Sequence, residues 1–465
     1  MNGGSMTTFG RISMAAAAAL LVGLSPATAA DLGGNCCADL EERVAELEAT
    51  TVRKGTRKVS VTLSGQISQE LLFWDDGISD DMYVTGANSS NSRWRFVGSA
   101  KISPEVTAGF LYELQAYASA SSSVNQSPGG DDLGGALFGG GANALREAMA
   151  WIEHSRLGRI STGHGSNFAN NSILVDLSGK GMAASNGVFL HPAAFRIANS
   201  STGGYSAFTW NQFFQGTGDW LNTRNEHIQY RTPTIAGFTL GGSVGEDNYW
   251  DVGVRYAGEF NGVRVAANVT YSVNSEFGTG VVTEADTTSV EPYRASPAFG
   301  RCDLNCEKEM KQLAGSASIR HMPTGLFFTG AAGRREVEGQ QFSTIDGEGV
   351  TTDVTAPMNF DASFFYLSGG IARNLTGLGD TVFYGEYSQW KGVGQDTANG
   401  TTGASRGVTS SDKLEHWGVG VVQHVDAAAM EFWLAYKNYT LSGPTADSIH
   451  AEDLHQITAG TRIRF

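Results

Sequence analysis

From Val59 to Trp74 apolar and polar positions alternate along the chain. Val59, Val61, Leu63, Ile67, Leu71 and Phe73 share one face, and Ser60, Thr62, Ser64, Gln66, Ser68 and Glu70 share the other. Period two is the period of a β-strand, and this run is longer than an ordinary strand. The chain closes on a second such run, with Ile457, Ala459, Thr461, Ile463 and Phe465 on one parity and Gln456, Thr458, Gly460, Arg462 and Arg464 on the other. A strand with two arginines on its polar face and a terminal aromatic on its apolar face suits a barrel with lipid outside and water inside.

Between these runs the pattern predicts further strands, joined alternately by tight turns and long loops. The tight turns centre on Pro104, Ser155 to Gly158, Pro233 to Gly237, Gly258 to Gly262, Pro323 to Gly325, Asn374 to Gly379, and Asp426 to Ala429. Their Pro, Gly and Asn residues are turn formers. Loops are expected near 75–90, 119–143, 166–222, 274–309, 338–359, 391–411 and 442–452, with a very short one at 246–248. The expected fold class is therefore all-β: a transmembrane antiparallel β-barrel of about sixteen strands, wide enough for an aqueous channel.

The N-terminal region reads differently. Met14 to Leu24 is apolar and Ala-rich, follows Arg11, and leads to Ala27-Thr28-Ala29. That order predicts a signal peptide at 1–29. Residues 30–57 are expected to form a periplasmic segment with a short helix, because Leu40, Val44 and Leu47 make an apolar seam and Asp39 can cap it. The barrel then spans 58–465. No stretch is long and apolar enough for a membrane helix.

Composition narrows the function. Charged residues are 17% of the chain, glycine is abundant at 60 of 465, and the net charge is −15, which argues against a nucleic-acid partner. The exported context permits disulfides. Cys302 and Cys306 are expected to bridge each other in an outer loop, the alternative being two free thiols, while Cys36 and Cys37 would link neighbouring chains if they bridge at all. His164, His191, His227 and His455 have no Ser and Asp at a recognisable triad spacing, so no enzyme activity and no cofactor are expected.

Several segments, in this order, resemble the general porins of Gram-negative bacteria in their alphaproteobacterial branch. They are Asp39 to Glu48 with Arg57-Lys58-Val59-Ser60, Leu72 to Gly77, Arg93-Trp94-Arg95-Phe96, Arg146 to Trp151, Leu157 to Gly165, Asn222-Thr223-Arg224-Asn225, Asp380 to Trp390, and Phe465. The resemblance implies a passive diffusion channel for ions and small hydrophilic solutes, assembled as a homotrimer in the outer membrane. It also implies contact with outer-membrane lipid and lipopolysaccharide, and export through an assembly machinery that reads Phe465. An Ala30-Asp31 start resembles barrels joined to peptidoglycan there, against the plainer reading of a free amino terminus. A substrate-selective channel and a structural tether to the wall are the alternatives.

Strand parity puts Arg93, Arg95, Lys101, Arg255, Arg264, Arg320, Lys437, Arg462 and Arg464 on polar faces. A charge facing mid-membrane lipid costs about 2–4 kcal/mol, so Arg93, Arg95, Arg264 and Arg320 are expected to line the pore. In the resembled family the loop at 166–222 folds inward, which would set Asp176 opposite the basic wall. His164 stands where such porins often carry arginine and is counted with the constriction. Trp74, Tyr112, Trp151, Tyr230, Trp250, Trp417, Tyr436 and Phe465 are expected at the membrane interfaces.

Overall fold

The computed structural model describes residues 59–465 apart from 117–118, 128–144, 215–219, 223, 247, 276–306, 342–355, 358–359 and 393–410. The expected signal peptide, the helical segment at 39–48 and all four cysteines lie outside the described residues. Among those described, no helix is long and apolar enough to cross a membrane.

Alternation dictates the architecture. On β1 (Ser60–Asp75) the polar residues Gln66, Ser68 and Glu70 are buried, whereas Ile67 is 52% exposed. Polar inside and apolar outside inverts the soluble pattern and matches a lipid-facing wall. The chain continues through β2 (Asp80–Gly86), β3 (Arg93–Lys101), β4 (Val106–Gln115), β5 (Leu145–His154) and β6 (Gly158–Gly165). A long inward loop follows, holding a separate hairpin of β7 (Arg196–Asn199) and β8 (Gly204–Thr209) and a short helix at Trp210–Phe214. The wall resumes with β9 (Asn225–Arg231), β10 (Phe238–Gly245), β11 (Tyr249–Phe260), β12 (Val263–Asn274), β13 (Glu307–His321) and β14 (Leu326–Gln341). It ends with β15 (Ala356–Pro357), β16 (Phe360–Asn374), β17 (Asp380–Lys391), β18 (Lys413–Val425), β19 (Met430–Ser442) and β20 (Leu454–Arg464).

All wall pairs are antiparallel, and β20 pairs with β1, so the sheet closes on itself. β2 and β3 pair with successive halves of β1 and make one stave between them, and β15 only extends the edge of β14. The barrel has sixteen staves, as the alternation predicts. Where a loop is expected at 75–90 there is instead a tight hairpin: Asp75 pairs with Asp80 and Gln69 with Gly86. The closing seam is finished by Phe465, whose N–H donates to the Gly65 carbonyl at 3.1 Å and whose carbonyl accepts from the Gly65 N–H at 2.8 Å. The terminal ring lies so close to Gly65 that a Cβ there would come within 2.5 Å of it.

The interior is divided. Inward residues of β13 to β20 and β1 form an aromatic lining, and the inward loop packs its own aromatics onto it. Phe364 and Trp390 stack at 4.4 Å, Trp220 meets Phe364 edge-on at 4.7 Å, and Phe214 meets Trp390 at 5.4 Å. Gly333 makes room, since a Cβ there would stand 2.6 Å from Phe364 and 2.9 Å from Trp220. Each fully buried large apolar side chain is worth about 1.5–3 kcal/mol. Polar bonds fix the register: the Val175 and Leu177 N–H groups donate to Ser316 Oγ (2.9 Å) and Ser318 Oγ (3.0 Å), and that of Phe168 to Ser243 Oγ (2.8 Å). Trp74, expected at the membrane interface, belongs to this interior, 5.3 Å from Phe195. Trp151 also faces inward, because its cross-strand partners Gly109 and Ser161 do.

Two outcomes follow. Phe214→Ala and Trp220→Ala should each weaken loop docking by about 3–5 kcal/mol while leaving the barrel closed. Limited proteolysis in detergent should cut the loop faster in both variants, and single-channel conductance should rise. The second outcome concerns His191, which is fully enclosed within the loop, with Nε2 3.1 Å from Ser89 Oγ and Nδ1 3.7 Å from Glu70. Burial pushes its imidazole well below the usual range, and Lys437 and His416 push the same way. An undocked imidazole takes a proton near pH 6.5 and the docked one does not, so the imidazole's own contribution to docking is greatest above about pH 6.5 and is lost as pH falls. Hydrogen exchange, corrected for intrinsic rates, should show amides 186–191 less protected at pH 5 than at pH 7.5. His191→Gln should remove most of that difference.

Candidate functional site

The polar half of the lumen wall is built on β3 to β12. Arg95 pairs with Ser64 and Glu113, and Arg93 with Gln66 and Gln115, so both arginines face inward. Glu113 is the hub. Its buried carboxylate accepts from Arg93 Nη1 at 3.2 Å, Arg95 Nε at 2.7 Å and Arg146 Nε at 2.7 Å. Arg146 also donates to Gln115 Oε1 at 2.9 Å. Arg224 Nε lies 3.6 Å from Glu147 Oε1, which also accepts from Ser166 Oγ at 2.7 Å. One carboxylate cannot neutralise three guanidiniums, so this wall keeps an excess of positive charge. Arg95 leans furthest into the lumen, with 43% of its side chain exposed against 18% for Arg93 and 15% for Arg146.

The other expected pore residues differ among themselves. Arg264 faces inward beside the turn at 261–262 and is held by Glu259 at 2.7 Å, both half exposed. Arg320 faces inward too, but it is a fastener: it binds Asp380 at 2.5 Å and donates to the carbonyls of Leu177 (3.4 Å) and Ala372 (3.1 Å), tying loop to wall. Asp176 does enter the lumen. Its partners are Ser178 Oγ at 2.8 Å, Thr329 Oγ1 at 3.1 Å and Lys180 Nζ at 3.3 Å. Burial pushes the Asp176 carboxyl up, but Lys180 and the Ser178 hydrogen bonds outweigh it and hold the group below its usual range. Asp176 is thus an ionised anchor of the loop on β14, already matched by Lys180, rather than a bare acid set against Arg93 and Arg95.

His164 is corrected. It pairs with Ala148 and Glu226 on the face shared with Ile160 and Ile228, which are 51% and 54% exposed to the outside. Its place on the outward parity takes it out of the constriction. Lys437 is inward but buried beneath the loop.

Three site members escaped the sequence reading. Glu113 was within reach, since the turn centred on Pro104 sets Arg95 opposite Glu113 and Arg93 opposite Gln115. Arg146 was not: the register shifts between Glu113 and Leu114, so Glu113 pairs with Glu147 and Leu114 with Leu145, and the unpaired Arg146 swings to the lumen. Arg224 precedes β9, where parity does not apply.

Residues 15–303 match the sequence profile of a family described as Gram-negative porin. No curated protein sequence matches the chain. Among solved structures, the anion-selective porin from Comamonas acidovorans is similar at 14% identity, over 88% of this chain and 100% of that one, with a TM-score of 0.49. In-vitro folded OmpT, an outer membrane protein of Vibrio cholerae, aligns at 12% identity over 89% and 99%, with a TM-score of 0.49. OmpF of Salmonella typhi, in complex with daunomycin, aligns at 13% identity over 87% and 98%, with a TM-score of 0.47. The sequence profile covers more than half of the chain and points to the family as a whole, without singling out one bacterial branch. With lipid-facing staves, a closed barrel and an inward loop already established, the chain belongs to the Gram-negative porins and is a multi-pass outer-membrane channel.

Proposed function

We propose that ions and small hydrophilic solutes diffuse passively along the arginine-bearing half of the lumen, between the Glu113 cluster and the docked loop. The observation that carries this reading is the division of the interior. The loop covers inward residues of β13, β14, β16 to β20 and β1, while Arg95 and Arg264 on the opposite wall reach water. Transport of this kind uses pore radius and fixed charge and involves no covalent step. The excess of guanidinium favours anions over cations, even though the chain as a whole is acidic.

The same reading takes the protein as a homotrimer in contact with lipopolysaccharide. A mixed-charge belt on the outer face supports the lipid contact: Lys311 with Glu309, Arg334 with Glu336 and Asp361, and Lys413 with Glu415. These pairs stand on the outward parity, loopward of Leu313, Phe328 and Leu367, at the level expected for charged headgroups. Residues 1–29 are read as a cleaved export signal, Ala30 as the mature start, free or wall-linked, and Cys302–Cys306 as a disulfide.

In planar bilayers the purified protein should conduct ohmically, with closures in threes. Arg95→Glu should move the reversal potential in a salt gradient towards cations, because it removes the most exposed positive charge of the cluster. An unmoved reversal potential would place Arg95 off the conduction path. Non-reducing mass spectrometry should find a mature mass starting at Ala30 and a peptide joining Cys302 to Cys306, two hydrogens lighter than the reduced form. Two free thiols would refute the bridge.

A further inference from the structure

A second group of guanidiniums lies on the lumen wall beside the short turns, apart from the Glu113 cluster. Arg159 on β6 and Arg231 on β9 are direct cross-strand partners and therefore share the inward face. Arg255 on β11 lies across β10, whose inward residues there are Gly241, opposite Arg231, and Thr239, opposite Arg255. The Phe168 ring lies over Gly241, and the charges of the arginines repel: Arg231 feels Arg159, and Arg255 feels Arg231. Like charges placed directly opposite destabilise a sheet unless something compensates.

Compensation within the described residues is incomplete. Arg159 has one counter-ion, Glu153, bonded through Nε at 2.8 Å, and lies 4.1 Å over the Trp151 ring. Arg255 donates Nη2 to the Phe168 carbonyl at 2.7 Å and lies 4.3 Å over the Phe168 ring. The acid on its own strand, Asp251, is already committed to the Tyr249 hydroxyl (2.8 Å) and to the N–H groups of Ala169 (2.9 Å) and Ser243 (2.7 Å). The Arg231 side chain makes no hydrogen bond or ion pair among the described residues, and Glu153 acts on it only through space. Three guanidiniums thus share one available carboxylate, and the one between the others is free.

We propose that Arg159, Arg231 and Arg255 form a binding site for a doubly charged oxyanion on the wall of the channel. Guanidinium forks match tetrahedral and planar oxyanions with paired N–H donors, and a halide cannot use that geometry. The aromatic rings of Trp151 and Phe168 take the flat faces of two guanidiniums and so hold their N–H edges in fixed directions. Because Phe168 is the start of the inward loop, loop docking and site geometry are built together. The site rests on the channel reading for access to solute. In function it would give oxyanions a residence time on the wall rather than mere attraction to it.

Inorganic phosphate is the probe, at pH 7.5 and low ionic strength, where charge pairing is least screened. Isothermal titration of the detergent-solubilised protein should show saturable binding, weakened at least tenfold by Arg231→Gln and only partly kept by Arg231→Lys, which retains the charge but not the paired N–H donors. Arg334→Gln, on the outer face, should leave it unchanged. In planar bilayers carrying chloride, phosphate should reduce the current to a plateau, more strongly from the short-turn side, and Arg231→Gln should abolish that plateau while the channel still conducts. Binding that is absent, non-saturable or unchanged in Arg231→Gln would overturn the site. Because titration needs no current, such a result stands apart from any failure of the protein to conduct.

Discussion

The interior depends on one contact: the aromatic face of the inward loop against the aromatic inner wall. Trp220, Phe364 and Trp390 are its centre, with Phe214 and Tyr439 beside them. A water-filled barrel has no use for large buried aromatic rings on its inner face. Their presence on β16 and β17 makes sense only because the loop covers them, and apolar burial supplies the energy that holds so long a segment inside a channel. The polar bonds from Ser316, Ser318 and Ser243 add direction rather than strength, since exchanging water for a protein partner gains about 0.5–1.5 kcal/mol each.

That contact determines where charge matters. Beneath the loop, Lys437, Glu386, Glu70 and His416 are shut away from the aqueous path. On the other side Glu113, Glu147 and Glu153 hold arginines in fixed positions without neutralising them all. Carboxylates act there as mounts for guanidiniums, which is how a chain of net charge −15 presents a basic wall to solute. Arg320 and Asp176 belong to the mounting of the loop, and their charges are spent on it.

Much of this was legible in the residues. Unbroken alternation showed the staves, turn chemistry placed all seven short connections, and parity turned Arg93 and Arg95 inward. Parity failed where its two-solvent assumption fails. It assigns a residue to a face and cannot say what covers that face, so it does not reveal that Trp74, on the polar parity of β1, is covered by Phe195. Arg146 was hidden because one bulge reverses parity locally. His164 was misassigned by analogy, against its own parity, which register places with Ile160. The hairpin at 75–86 was missed because its second strand is short and its polar residues, Asp80 and Asp81, read as loop. The loop's aromatics were visible, but the partners of a non-local contact are not encoded in any local period.

The central claim is that only one half of the inner wall meets water. Thiol accessibility tests it most directly, in a background with the four native cysteines changed to serine. Single cysteines would be placed on inward positions of the open half, Thr107→Cys, Thr239→Cys and Ala266→Cys, and of the covered half, Ser68→Cys, Ser388→Cys and Thr458→Cys. With a small, charged, water-soluble thiol reagent, the account predicts rapid labelling and a fall in conductance for the first three and slow labelling for the second three. Equal rates in both sets would show that the loop does not seal the wall and would contradict the account.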